Sequence, residues 1–174
     1  MSNSPEDTVW WTCFTTPLGD TYIAATRQGV CKIALPEETR EHFIVWLHRH
    51  FKPAHILPHP GPCMEAIEQL EAYFGGHKTR FELSLDLRGT PFQKKVWQTL
   101  LQIPYGQTIS YRQLAEEVNK PAGYQAVGAA VSQNPVLVIV PCHRVISASG
   151  HLAGYAAGIQ TKRWLLQHEG ILLL

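Results

Sequence analysis

At 174 residues, 45% hydrophobic and 17% charged, the chain has enough apolar surface for one domain or two small ones with a packed core, and it reads as a soluble globular protein rather than a disordered one. No stretch approaches the roughly 18 apolar residues of a membrane span, and the opening "MSNSPEDTVWW" has neither a basic start nor the apolar run of a signal peptide. A cytosolic or nuclear location, with no membrane partner, is therefore expected. The net charge of +1 hides an asymmetry: seven basic and eleven acidic residues lie up to residue 87, eight and three after it, so the halves carry −4 and +5. A basic half beside an acidic one points to an anionic partner, nucleic acid first, although chance gives the same count.

Residues 10–35 alternate apolar and polar side chains around the turn signals Pro17-Leu18-Gly19-Asp20 and Arg27-Gln28-Gly29, which predicts a three-stranded antiparallel meander. The segment "PEETREHFIVWLHRHF" has acidic residues in front and His and Arg behind, with Phe43, Ile44, Leu47 and Phe51 on one helical stripe. "PAHILPHPGP" reads as a breaker-rich loop, "CMEAIEQLEAYFGG" as a helix stopped by Gly75-Gly76, and "RFELSLDL" as one more strand. These elements make an N-terminal α+β domain over 1–87, a small antiparallel sheet with helices and no visible chemistry.

From Thr90 the period becomes helical. "TPFQKKVWQTLLQIP" has a Thr cap, Pro at the first helical position and a stripe of Phe92, Val96, Leu100 and Ile103. "SYRQLAEEVNK", capped by Ser110, and "GYQAVGAAVSQN" are two short helices around a tight turn, the second rich in Ala and Gly. That is what a helix-turn-helix needs for close crossing and groove entry; a plain helical hairpin has the same pattern, and the basic balance favours DNA. An apolar β-branched run, "NPVLVIVPCHRVI", follows as a strand, then the Gly- and Ala-rich loop "SASGHLAGYAAGIQ" and a closing helix "TKRWLLQHEG". The second domain, 88–174, is thus helical.

Cys142 follows the buried run, and Pro141 withholds a backbone donor just before it, so the thiol is expected where a strand leaves the core. A free thiol, with a pKa of ~8.5, is mostly protonated at neutral pH, and a neighbouring imidazole that takes its proton leaves a better nucleophile. His143 is the candidate base. Adjacent residues in a strand point to opposite faces, so it serves only if the chain turns here or a water bridges the two. Glu169 is the expected carboxylate partner of the imidazole. On these residues alone catalysis and redox sensing both stand, and a lone cysteine is more often an inert small hydrophobe. The other cysteines, Cys13, Cys31 and Cys63, lack metal-type pair spacing, so free thiols, no metal and no cofactor are expected.

Together, "IPYGQTISYRQLA", "AVGAAVSQNP", "PCHRVI" and "GYAAGIQTKRWLLQHEG" closely resemble the O6-alkylguanine-DNA alkyltransferases, the methylated-DNA–protein-cysteine methyltransferases that repair alkylated guanine. The resemblance covers the chain from about Thr90 onward; before that it rests on "TPLG" and "YFGG". It implies an α+β fold with an RNase H-like N-terminal domain and a winged-helix-like C-terminal domain. It also implies that Cys142 accepts the alkyl group, in one turnover, from O6-alkylguanine in double-stranded DNA, with O4-alkylthymine a further candidate substrate. His143 acts as base through a water and Glu169 orients it. Tyr111 donates to the guanine ring, and Asn134 ties the recognition helix to the active-site strand. The carbonyls of Cys142 and Val145 read the guanine amino group, the Ala156 amide bonds O6, and Tyr155 walls the pocket. Gln125, Tyr124 and Arg112 face DNA. The protein acts as a monomer, with clustering on DNA as a further possibility.

Two positions depart from the family pattern. Gln125 stands where an arginine usually enters the duplex, which predicts weaker DNA affinity or slower base flipping, with Tyr124 as an alternative stacking residue. Ala157 replaces one residue of a common Gly-Gly pair, which predicts a pocket narrowed toward small alkyl groups such as methyl. The competing readings are a DNA-binding module for damage recognition or redox sensing without transfer, and a cysteine hydrolase built from Cys142, His143 and Glu169.

Overall fold

The first three strands follow from turn chemistry. In the computed structural model, which describes residues 7–52, 54–152 and 154–171, β1 (Asp7–Thr16), β2 (Gly19–Thr26) and β3 (Gly29–Ala34) form the expected antiparallel meander. The hydroxyl of Thr16 holds the first turn by accepting from the Leu18 amide and donating to the Gly19 carbonyl. Helix α1 (Arg40–His50) starts at Thr39, whose side chain accepts the His42 amide, and seats Phe43, Leu47 and the following Phe51 in a core with Val9, Ala24, Cys31 and Ala34. Helix α2 (Met64–Phe74) ends at Gly75 and buries Ala66, Ile67, Leu70, Tyr73 and Phe74.

Two expectations for this half are corrected. "PAHILPHPGP" is not wholly a loop: Ala54–Pro58 forms β4, which pairs in parallel with β1 and gives the sheet order β3-β2-β1-β4. Its proline lies at the end of an edge strand, where a missing donor is tolerated. Conversely, "RFELSLDL" forms a single parallel bridge, Val30 to Leu85, instead of a regular strand. Side-chain bonds hold it down: Asp86 accepts from the Thr26 hydroxyl at 2.6 Å and from Arg88 at 2.8 Å. The approach is close enough that a Cβ on Gly29, at φ +147°, would lie 2.2 Å from the Ser84 carbonyl oxygen.

The chain divides between Arg88 and Gly89 into two compact units. The second contains α3 (Pro91–Leu100), β5 (Ile109–Ser110), α4 (Tyr111–Glu117), α5 (Tyr124–Ser132), β6 (Val145–Ile146) and α6 (Ile159–His168). Thr90 and Ser110 each close a reciprocal capping box, with Gln93 and Gln113 respectively, so the starts of α3 and α4 are fixed by local sequence. Strand β5 pairs in parallel with β6, Ile109 opposite Val145 and Ser110 opposite Ile146, so Tyr111 leaves the ladder at one end and the cysteine turn enters it at the other. The predicted strand before Cys142 is not one. Residues 136–140 fold through tight turns, with the Ile139 amide bonded to Leu137, the Val140 amide to Val136, and Val138 at φ +73°. The run's apolar character is satisfied all the same, because Val136, Leu137, Val138, Ile139 and Val140 are all buried.

Trp97 of α3 is 1% exposed and donates through its indole nitrogen to the Ala130 carbonyl of α5 at 2.8 Å. It therefore seats the helix that carries one wall of the site. Trp97→Phe should lower the free energy of unfolding by about 1–3 kcal/mol in denaturant titration, through the lost bond and the smaller ring.

Candidate active site

Pro141 ends the buried turns, and Cys142–Arg144 form one turn of 3-10 helix, closed by the Arg144 amide on the Pro141 carbonyl. Successive side chains on such a turn diverge by about 120°. The chain therefore does turn at the cysteine, which removes the geometric objection that a strand raised against His143. Cys142 faces a cavity, while His143 and Arg144 both reach Glu169, the residue that ends α6.

The cavity, about 360 Å³, is lined by Tyr111, Gly128, Val131, Ser132, Cys142, Gly154, Tyr155 and Ala156. Of the residues expected around the substrate, Tyr111, Cys142, Tyr155 and Ala156 thus meet at one place. Ala157, next to the lining residue Ala156, is buried and is not itself among the lining residues. Val145 is fully buried and is likewise not among the lining residues, and its carbonyl accepts a hydrogen bond from the Lys162 ammonium at 2.5 Å. Tyr124 is 48% exposed and Gln125 is exposed, both at the start of α5 outside the cavity. Arg112 is on the surface of α4, 3.8 Å from Glu116.

Asn134 stands just beyond α5 and is 6% exposed. Its amide nitrogen donates to the Val140 carbonyl at 2.8 Å and to Cys142 Sγ at 3.1 Å, while its oxygen accepts from the Val136 amide at 3.0 Å. One side chain thus fixes the end of α5, the turns and the sulfur together.

Cys142 is 2% exposed, and burial pushes its thiol up to about 11. The Asn134 amide, the Lys162 charge and the Tyr155 hydroxyl act the other way, favouring the thiolate. Burial also lowers Lys162 to about 8, against the pull of Cys142, and keeps Tyr111 protonated by raising it, with the nearby thiol adding to that effect. His143 is fully buried and shifted down by that burial, with Arg144 and Lys162 opposing a second proton and Glu169 favouring it. For Glu169 burial works toward the neutral acid, but the hydrogen bonds and charges of His143 and Arg144 hold it well below the usual carboxylate range.

His143 Nε2 lies 2.5 Å from Glu169 Oε2. Because that carboxylate is ionised, Nε2 carries the proton and donates, leaving a lone pair on Nδ1, which meets no hydrogen-bonding partner among the described residues. Resting thiol, neutral imidazole and carboxylate are therefore the stable combination, and the thiolate forms as the proton leaves.

Sequence reasoning missed Lys162 as a site residue, along with the α5 residues Gly128, Val131 and Ser132. Lys162, Leu165, Leu166 and Glu169 share one stripe of α6, at spacings of three and four, and all are buried. That stripe was the available signal: a lysine two turns before the candidate carboxylate, about 10 Å along the helix, on its apolar side.

A cysteine nucleophile beside a histidine–carboxylate couple, on a unit with a helix-turn-helix pair, defines the chemical class of the site. Residues 9–87 match the family model for the ribonuclease-like domain of 6-O-methylguanine DNA methyltransferase, and residues 91–171 that for its DNA-binding domain; the chain belongs to this family. A methylated-DNA–protein-cysteine methyltransferase of Shigella flexneri is 40% identical over 164 residues, covering 91% of this chain and 94% of that protein. One from Mycobacterium bovis is 50% identical over 125 residues, 71% of this chain and 76% of its own. The crystal structure of Mycobacterium tuberculosis OGT in complex with DNA matches with a TM-score of 0.79 at 40% identity, over 92% of each chain.

The Lys162 charge should be readable in the reactivity of the thiol. Lys162→Met is expected to move the alkylation of Cys142 by iodoacetamide to higher pH by about one unit, measured as rate against pH with the modified residue located by mass spectrometry. An unmoved profile would mean that the sulfur does not feel the ammonium.

Proposed function

We propose that the chain repairs DNA by direct reversal, moving the methyl group of O6-methylguanine in a duplex onto Sγ of Cys142. The observation that carries this reading is the enclosed thiol itself. It shares a cavity with the half-buried Tyr111, and a neutral imidazole held by a carboxylate lies on the adjoining residue. A thiol 2% exposed is out of reach of a stacked base, so the nucleotide must leave the helix to meet it.

In the reaction, His143 Nδ1 takes the thiol proton, directly or through a water, and Glu169 stabilises the imidazolium. The thiolate attacks the methyl carbon; the S–C bond forms as the C–O6 bond breaks, and the electron pair leaves with the guanine. Tyr111, held protonated by burial, donates toward the ring as charge grows there. Overall the thiol proton passes to the released base, and the thioether does not hydrolyse, so one molecule repairs one lesion. Asn134 and Lys162 stabilise the thiolate, and the Ala156 amide and the Val145 carbonyl recognise the base. The double-stranded, O6-alkylated partner and action as a monomer belong to this reading, as does a cytosolic or nuclear location. A redox-sensing role for Cys142 is weaker, because a thiol raised by burial oxidises slowly.

Docking on DNA uses α5. Its exposed residues, Tyr124, Gln125, Ala126, Ala129 and Ser132, include no charged side chain. Phosphate attraction then falls to residues such as Arg112 on the preceding helix, and the contribution of counterion release is small.

Incubation with an oligonucleotide duplex containing O6-methylguanine should add one methyl to Cys142, located by peptide mass spectrometry, and Cys142→Ser should abolish the gain. Unmodified Cys142 with intact duplex binding would replace the repair reading with that of a recognition module. Gln125→Arg should raise the single-turnover rate on duplex DNA and steepen the salt dependence of binding by about one ion; a variant with neither change would remove Gln125 from the interface.

A further inference from the structure

Arg144 is 6% exposed and spends its guanidinium entirely inside the protein. Nε donates to Glu169 Oε1 at 2.8 Å, Nη2 to Oε2 at 3.2 Å, and Nη1 to the Ile103 carbonyl at 2.6 Å. The Gly106 amide adds a further bond to Oε1 at 3.1 Å. The carboxylate that His143 uses is thus gripped by a planar fork, and the same fork and carboxylate hold Ile103 and Gly106 within the connection from α3 toward β5 and Tyr111.

We infer that Arg144 is a positioning residue for methyl transfer: it fixes Glu169 as a pure acceptor, so that His143 keeps its proton on Nε2 and presents a bare Nδ1. This rests on the reading of Cys142 as the methyl acceptor. The argument is one of charge and shape. A buried carboxylate with a histidine alone has two near-equivalent states, carboxylate with imidazolium or carboxylic acid with imidazole, and neither reliably leaves Nδ1 free to accept a proton. A second, permanent cation on the same carboxylate removes the ambiguity. It keeps the acid ionised, and its own charge opposes a second proton on the ring. The charged groups facing His143 are Glu169 at the end of α6, Lys162 within α6 and Arg144 on its own turn, with Cys142 preceding it. Of these only Arg144 both contacts the carboxylate and repels the extra proton. Lysine would retain the charge but not the two-point grip.

The test compares Arg144→Gln and Arg144→Lys with the unaltered chain, in single-turnover transfer from an O6-methylguanine duplex and in iodoacetamide labelling of Cys142, each as a function of pH. In Arg144→Gln, loss of the guanidinium lets His143 hold a second proton more readily, so the acid limb of both profiles should move up by about one pH unit. Transfer at neutral pH should fall about tenfold. Arg144→Lys should leave the limb in place and lose only a few-fold in rate. A folded Arg144→Gln whose limb does not move overturns the assignment, since a purely structural arginine would lower the melting temperature alone.

Nitrogen-15 NMR of His143 in the unaltered chain is an independent measurement that needs no variant. Protonated Nε2 and bare Nδ1 at neutral pH support the assignment; an imidazolium or the opposite tautomer overturns it. Should the unaltered chain take no methyl from DNA while the labelling limb and the tautomer come out as stated, the repair reading falls and the positioning role stands.

Discussion

The active unit depends on a negative charge kept out of water. Glu169 ends α6, where the helix dipole already disfavours an anion, and its side chain has no exposed surface. Such a carboxylate survives only if donors replace the water it has lost. His143, Arg144 and the Gly106 amide do so, arriving from the cysteine turn and from the connection after α3. The order of the surroundings follows: the 3-10 turn must present residues 143 and 144 inward, and Cys142, one step earlier, is thereby directed to the cavity. The position of the nucleophile is a by-product of how its two neighbours neutralise the acid.

The thiol illustrates the opposing demands. Burial raises it to about 11, which protects it from casual oxidation but withholds the thiolate. Asn134 and Lys162 return part of that loss, with a hydrogen bond and a charge that are already in place before substrate arrives. Lys162 is itself destabilised by its surroundings, down to about 8, and its contact with the Val145 carbonyl keeps it there as a donor. The resting site thus carries unfavourable desolvation on the Lys162 ammonium, and the thiolate formed on proton loss gives that buried cation an opposite charge.

Much of this is legible in the sequence, and the failures have identifiable causes. Helix starts at Thr90 and Ser110 can be read because capping boxes are local chemistry. Cys142, His143 and Glu169 come from residue type and from the family resemblance, and the structure brings the last two into contact. The strand expected over residues 136–140 fails because an apolar β-branched run reports burial, not backbone path. Strand β4 is hidden by prolines that an edge position tolerates, and "RFELSLDL" pairs at the single bridge of Leu85 with Val30, held by backbone bonds to Val30 and by the Thr26–Asp86 bond. Arg144 has no partner legible in the sequence, because Glu169 lies 25 residues further on. Lys162 escapes because a lysine is assumed to face solvent, although its helical stripe points inward.

The pairing of β5 with β6 separates what is fixed in this pocket from what can be exchanged. Ser110, the cap before Tyr111, is opposite Ile146, and Val145 follows the cysteine turn directly, so two residue pairs tie the start of α4 to the end of that turn. One wall comes from α5, and another, Gly154, Tyr155 and Ala156, from a loop that shares none of those pairings. The ladder and the pocket wall are thus built by different stretches of chain that meet at the sulfur, so a loop reshaped for a bulkier adduct must keep the Tyr155 hydroxyl where it favours the thiolate.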